Sequence, residues 1–172
     1  MQKQFKNGNA YLIIAFIMMG VLFVSSSQTY EQQSTIPLLQ KILKNEPFKD
    51  ILSSVSFSYG GSPVSIKESG YHQFIEFFIR KGAHFFTYFV LGGSFFLGIN
   101  PRVKHLGISL LFSWLSATGY AALDEFHQML TGGRSPMFQD VVLDSLGALT
   151  ACVLITFLFF WSNRPKGKKK RK

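Results

Sequence analysis

"VVLDSLGALTACVLITFLFFW", residues 141 to 161, is a run of 21 residues with a single charged side chain, Asp144. A helix crossing the hydrocarbon core of a bilayer needs about 20 mostly apolar residues, so this run is a membrane span. Three further runs have the same character: Ala10 to Ser27, Gly82 to Ile99 and Leu106 to Leu123. Backbone groups in lipid must be paired within their own segment, and nothing here alternates like the strands of a closed barrel. The expected fold is therefore all-α and polytopic, with four transmembrane helices. That excludes a soluble domain built around a large core.

Charge placement predicts the orientation. With both termini in the cytoplasm, the inner side carries Lys3, Lys6, Arg102, Lys104 and the bases of residues 162 to 172, and no acid. The outer segments carry Lys41, Lys44, Lys49, Lys67, Arg80, Lys81 and Arg134, together with every acid of the chain. Bases concentrate on the cytoplasmic side of membrane proteins, so this orientation is favoured. The net charge of +9 is then largely a basic cytoplasmic tail, "RPKGKKKRK". Lysine clusters also bind nucleic acid, but this one directly follows a span and has no interleaved aromatics. It reads as a topology signal and an anchor to anionic lipid. The first span resembles a signal peptide in having Lys3 and Lys6 before it and "SSS" after it. Its length and the missing alanine pattern favour a retained span. The single cysteine, Cys152, lies inside the fourth span, which rules out an intramolecular disulfide in the loops.

Residues 28 to 79 form the one sizeable outer segment. Ile36, Leu39, Ile42 and Leu43 recur near helical spacing behind Ser34, Thr35 and Pro37, so residues 34 to 52 are expected to form a short amphipathic helix on the membrane surface. Val55, Phe57 and Tyr59 then alternate with serines, turn at Gly60 and Gly61, and resume at Val64 and Ile66. That is a β-hairpin pattern. It reads equally as a loop closing the bundle and as a flap over a ligand. On the inner side, "NPRVKH" has room for a turn only. Gly92, Gly93, Gly147 and Ala151 are small enough to admit a neighbouring helix closely.

The expected topology brings the start of span two, the end of span three and the start of span four to one membrane level. Lys81, His84 and Tyr88 share a face of span two. Asp124, His127 and Gln128 share a face of span three, with Glu125 beside it, and Asp140 and Asp144 lie one turn apart entering span four. Ionisable groups inside a bilayer cost about 2.5 to 3.5 kcal/mol each on insertion scales and generally point inward toward partners. One contiguous outer-leaflet site is expected. Three readings of it compete. In the first it is structural, with Arg134 bridging Asp140 or Asp144 and Lys81 pairing with Glu125. In the second it is catalytic: Glu125 or His127 serves as general base, with Asp124 in the same cluster, and Lys81 and Arg134 hold an anionic group. A divalent-metal version would use Asp124, Glu125, Asp140 and His84 or His127, although no HExxH-type zinc spacing occurs and no metal or other cofactor is assigned. In the third, Lys81, His84, Tyr88, Gln128, Arg134, Asp140 and Asp144 bind a headgroup or peptide without transforming it. The "TGGRSP" turn lacks a following GK[ST] and is a weak phosphate-loop signal; it reads as a tight turn aiming Arg134 at the helices.

Three segments in order, "SSSQ" (25 to 28), "RKGAHFFTYFVLG" (80 to 92) and "DEFHQMLTGGRSPMFQDVVLDSLGA" (124 to 148), resemble the VanZ-like membrane proteins. The pattern matches at Lys81, His84, Tyr88, Asp124, Glu125, His127, Gln128, Arg134 and Asp140, whereas Asp144 stands where an asparagine is expected. The resemblance implies a bacterial plasma-membrane protein of the cell envelope, linked to resistance to the glycopeptide teicoplanin. The implied partners are membrane lipids and a lipid-linked wall precursor, with no nucleic acid; oligomerisation stays open. The expected function is to bind or modify an anionic, lipid-linked envelope component. The alternative is a membrane-embedded hydrolase or transferase acting on a phosphate-containing lipid or wall precursor. A transporter ranks below both, because the charges gather on one side of the membrane.

Overall fold

The computed structural model describes residues 8–131 and 137–162. Its elements in chain order are α1 (Gly8–Ser26), α2 (Tyr30–Gln33), α3 (Ile36–Ile42), α4 (Lys49–Leu52), β1 (Ser56–Tyr59), β2 (Ser62–Ser65), α5 (Ile66–Ser69), α6 (Tyr71–Val103), α7 (Leu106–Thr131) and α8 (Phe138–Ser162). The helices α1, α6, α7 and α8 are each long and apolar enough to cross a membrane. The protein is a four-span membrane protein of all-α class with one small hairpin. Large apolar side chains such as Phe16, Val24, Leu158 and Phe160 face outward from α1 and α8. Such an exterior suits lipid and would not suit water.

Small residues let the spans pack closely. A Cβ added at Gly92 of α6 would lie 2.7 to 2.8 Å from the Cα, Cβ and carbonyl oxygen of Ala148 on α8, and one at Gly147 would collide with the backbone of Phe85. The two glycines therefore bring α6 and α8 nearly backbone to backbone, as expected of small residues in membrane helices. The central core adds Tyr88, Leu91 and Phe95 from α6, Ala117 and Ala121 from α7, and Ala15 and Leu22 from α1. Polar bonds reinforce it in the apolar layer. Trp114 Nε1 donates to Ser145 Oγ at 2.8 Å, and Tyr120 OH donates to the Met19 carbonyl at 2.5 Å.

Residues 28 to 70 form a cap over one end of this bundle. The single amphipathic helix expected over 34 to 52 is instead two short helices, α3 and α4. The break falls at Glu46-Pro47-Phe48, where Glu46 and Phe48 have φ of 45° and 60°. Proline disfavours helical backbone in the residue before it and cannot donate its own amide. The hairpin does form, with Phe57 opposite Val64 and a turn at Gly60 and Gly61. Ile66, Tyr71 and Phe74 make a second, smaller core with Leu43, Leu52 and Val64, which fastens the cap to α6.

The helix α6 begins eleven residues before the apolar run that starts at Gly82, so the aromatic approach "FIEFFI" is helical as well. Its 33 residues correspond to about 50 Å of helix at a rise of 1.5 Å per residue. That is well beyond the roughly 30 Å of hydrocarbon. At the far end, the stretch expected to be a turn, "NPRVKH", stays helical through Pro101 to Val103, and the chain reverses at Lys104. Lys104 adopts φ of 56° and its amide donates to the Asn100 carbonyl at 2.8 Å.

Candidate functional site

At the cap end, the last turn of α1 meets the segment 80 to 84 of α6, 124 to 128 of α7 and 140 to 144 of α8. Helical phase divides α6 here. Successive residues point about 100° apart, so Lys81 faces α8 while its neighbour Arg80 faces the cavity beside α1. Two chemically distinct compartments result, with His84 between them.

The first compartment is closed and internally paired. Lys81 Nζ pairs with Asp140 Oδ1 and lies over the ring of Tyr59, 4.7 Å from its centroid. The hydroxyl of Tyr59 donates to the same Asp140 oxygen at 2.6 Å. Burial, followed by this bond to a carboxylate, pushes the Tyr59 hydroxyl above the usual tyrosine range. Glu125 does not pair with Lys81, the partner that the structural one of the three readings gave it. Its Oε1 accepts the backbone N–H of Met137 at 2.6 Å, one residue before α8 begins. The first turn of α8 thus offers Lys81 a carboxylate within reach, while Glu125 is occupied by an amide that the start of the helix leaves unpaired.

The second compartment is a cavity of about 400 Å³ between the ends of α1 and α6, lined among others by Ser26, Arg80, His84, Asp124 and Gln128. Asp124 is only 4% exposed; its Oδ2 accepts from Gln128 Nε2 at 3.1 Å, and its Oδ1 is buried with no hydrogen-bond partner among the described residues. His84 Nδ1 lies 3.5 Å from Asp144 Oδ2, too far for a good hydrogen bond, and Asp144 Oδ1 is likewise unpartnered. Tyr88 belongs to the bundle core rather than to the surface of the site, and its hydroxyl also has no partner. An unpaired buried polar group costs about 1 to 3 kcal/mol. Several such atoms gathered round His84 mark unspent hydrogen-bonding capacity.

His127 turns away from the other candidates. Its Nδ1 lies 2.8 Å from Ser26 Oγ and its ring stacks on Phe23 of α1, with centroids 4.3 Å apart. Ser26 Oγ also donates to the Phe23 carbonyl at 3.0 Å, which ties this contact to the last turn of α1. Glu125 and His127 therefore have separate surroundings. Among the described residues, no three histidine, cysteine or carboxylate side chains gather where one metal ion could be held. Asp124, Glu125 and Asp140 bond to Gln128, to Met137 and to Lys81 with Tyr59, respectively. Arg134 lies outside the described residues.

Four participants escaped the sequence reading. Ser26 was visible only as part of "SSSQ". Tyr59 looked like one more alternating strand residue. Arg80 was overshadowed by Lys81. Glu76 carried the clearest signal, a lone acid in the aromatic run "FIEFFI". It is 1% exposed and accepts from Tyr30 OH at 2.6 Å, from Ser34 Oγ at 2.9 Å, and from the backbone amide and hydroxyl of Thr35. These bonds fix the segment after α1 against α6 and form one wall of the cavity. Burial and the bond to Glu76 raise the Tyr30 hydroxyl above its ordinary value.

No curated protein and no solved structure matches the chain. The family model described as VanZ/LLP1 matches residues 11–160, from the first turn of α1 almost to the end of α8 and across every residue of both compartments. With four apolar spans and a match over most of its length, the chain belongs to the VanZ/LLP1 family, membrane proteins of the teicoplanin-resistance type.

Proposed function

We propose that the protein sits in the bacterial plasma membrane with both termini in the cytoplasm and its cap outside. There it binds or modifies an anionic, lipid-linked envelope component and so lowers sensitivity to glycopeptides such as teicoplanin. The observation that carries this reading is the cavity at the cap end. It brings a guanidinium, an imidazole and a buried carboxylate together beside the end of an apolar span, a place that suits a lipid headgroup. The excess of acids at the cap end and of bases at the other end supports the orientation.

The test is mass spectrometry of envelope lipids and wall precursors from deletion cells carrying wild type or Glu125→Gln at equal membrane abundance, with teicoplanin sensitivity scored in parallel. The reading expects the wild-type gene to raise tolerance. A precursor change made by wild type and lost in Glu125→Gln would mark the protein as an enzyme, a hydrolase or transferase. Raised tolerance with an unchanged chemical profile would mark it as a binding protein. Equal sensitivity with and without the gene would sink the reading.

A further inference from the structure

Arg80 and Asp124 line one cavity, yet they are not paired with each other. Among the described residues, Lys49 lies against Glu46, Lys81 against Asp140 and the His84 ring near Asp144, and no carboxylate lies within ion-pair distance of Arg80. Its nearest acid along the helix, Glu76 one turn away, already accepts from Tyr30, Ser34 and Thr35. Arg80 is instead held by the ring of Tyr30, with its guanidinium 4.7 Å from the centroid. Stacking fixes a guanidinium in place while using few of its five N–H donors. Across the cavity, Asp124 Oδ1 is a buried acceptor with no donor among the described residues. Among the described residues, the cavity therefore presents a positioned cation without an anion and a buried carboxylate with one oxygen, Oδ1, still to be bonded.

The apolar part of the lining gives the direction of approach. Ile79, Ala83 and Thr87 follow one another down one face of α6, with Leu22 of α1 opposite. From Arg80 to Thr87 is seven residues, or about 10 Å of descent toward the hydrocarbon. Ile79 is 45% exposed, so this face is not sealed by protein. Polar groups and an apolar face line the same cavity, and the side left open toward the bilayer suits an amphiphile lying parallel to the spans.

We infer that this cavity receives one membrane lipid whose headgroup carries both an anionic phosphate and a hydroxyl or amine donor, Arg80 taking the phosphate and Asp124 the donor. The inference rests on the function proposed above and narrows it to a substrate class. Tyr30, pinned by Glu76, is the positioning residue for Arg80.

The experiment uses the full-length protein in nanodiscs of phosphatidylcholine, whose headgroup has a phosphate but no N–H or O–H donor. Small amounts of phosphatidylglycerol (phosphate and hydroxyls) or phosphatidylmethanol (phosphate and no donor) are added, and native mass spectrometry counts the retained lipid. One phosphatidylglycerol per protein is expected, held more strongly than either of the others. Arg80→Gln should weaken it by about tenfold or more, as expected for loss of a charged hydrogen bond. Asp124→Asn should erase the preference for phosphatidylglycerol over phosphatidylmethanol. Ala83→Phe, which fills the cavity while leaving every polar side chain in the sequence, should exclude the lipid even if the polar variants fold poorly. Lys41→Gln, an exposed base on α3, should change nothing. Equal losses in Arg80→Gln and Lys41→Gln, or full retention in Ala83→Phe, would overturn the assignment. Equal competition by free glycerophosphoglycerol would overturn the lipid and leave a soluble phosphate ester. Teicoplanin sensitivity of cells carrying Arg80→Gln separates the two ideas. Altered sensitivity with lipid retention unchanged leaves the function standing and removes the lipid; lipid retention lost in Arg80→Gln with unaltered sensitivity does the reverse.

Discussion

Tyr59 of the hairpin and Asp140 of α8, 81 residues apart in sequence, share a 2.6 Å hydrogen bond that fastens the cap to the bundle. Beside it, Met137 packs on Gly60 at the hairpin turn. The hairpin is thus tied at its tip as well as at its base.

Alkaline pH should release this tip. The Tyr59 hydroxyl is raised in the folded protein by burial and by Asp140, so the protein binds that proton more tightly folded than unfolded. The stabilisation is complete below the ordinary tyrosine value of about 10 and is lost as pH rises through the higher folded value. Hydrogen exchange of residues 56 to 65 should stay slow through mildly alkaline solution and accelerate above it. Tyr59→Phe should expose the hairpin at every pH, at a cost of about 1 kcal/mol, and abolish the alkaline step. A variant that retained the step would assign it to another group.

Lys81 and Asp140 should behave as one unit. Each is largely buried, with side-chain exposures of 21% and 17%, so removing either partner leaves a charge in a poorly solvated place. Thermal unfolding in detergent should show Lys81→Met and Asp140→Asn each destabilising the protein. The double variant should lose less than the sum, with a coupling of about 0.5 to 3 kcal/mol. Strict additivity would mean that the pair contributes nothing.

Gly147 should tolerate no side chain. Alanine there would meet the Phe85 backbone, which cannot rotate aside, and the overpacking should cost about 1 to 3 kcal/mol. Gly147→Ala is expected to lower the unfolding temperature and the yield of folded protein, whereas Gly20→Ala, at a lipid-facing position with open space around it, should do neither. Equal stability of the two variants would show that α6 and α8 are not held by this contact.

The four spans were legible because hydrocarbon imposes a length that uninterrupted apolar runs either meet or fail. The hairpin was legible from the alternation around Gly60 and Gly61. The pairing inside the site was not. Lys81 stands within reach of several carboxylates on paper, and only the arrangement of α6 against α8 selects Asp140 over Glu125. Arg80 was missed for a related reason. Two adjacent bases look alike in sequence, but helical phase sends one into a finished network and the other into a cavity. The break at Glu46-Pro47 was readable, and the apolar spacing on either side of it outweighed the proline.

The length of α6 ties the two sides of the membrane boundary together mechanically. About a third of this helix stands beyond its apolar run and carries the aromatic cluster that holds the cap. It acts as a mast, so that a small lean within the bilayer becomes a larger sweep at the tip. The hairpin at that tip is also bonded to α8 through Tyr59 and Asp140, so a lean of α6 alone would load this bond first.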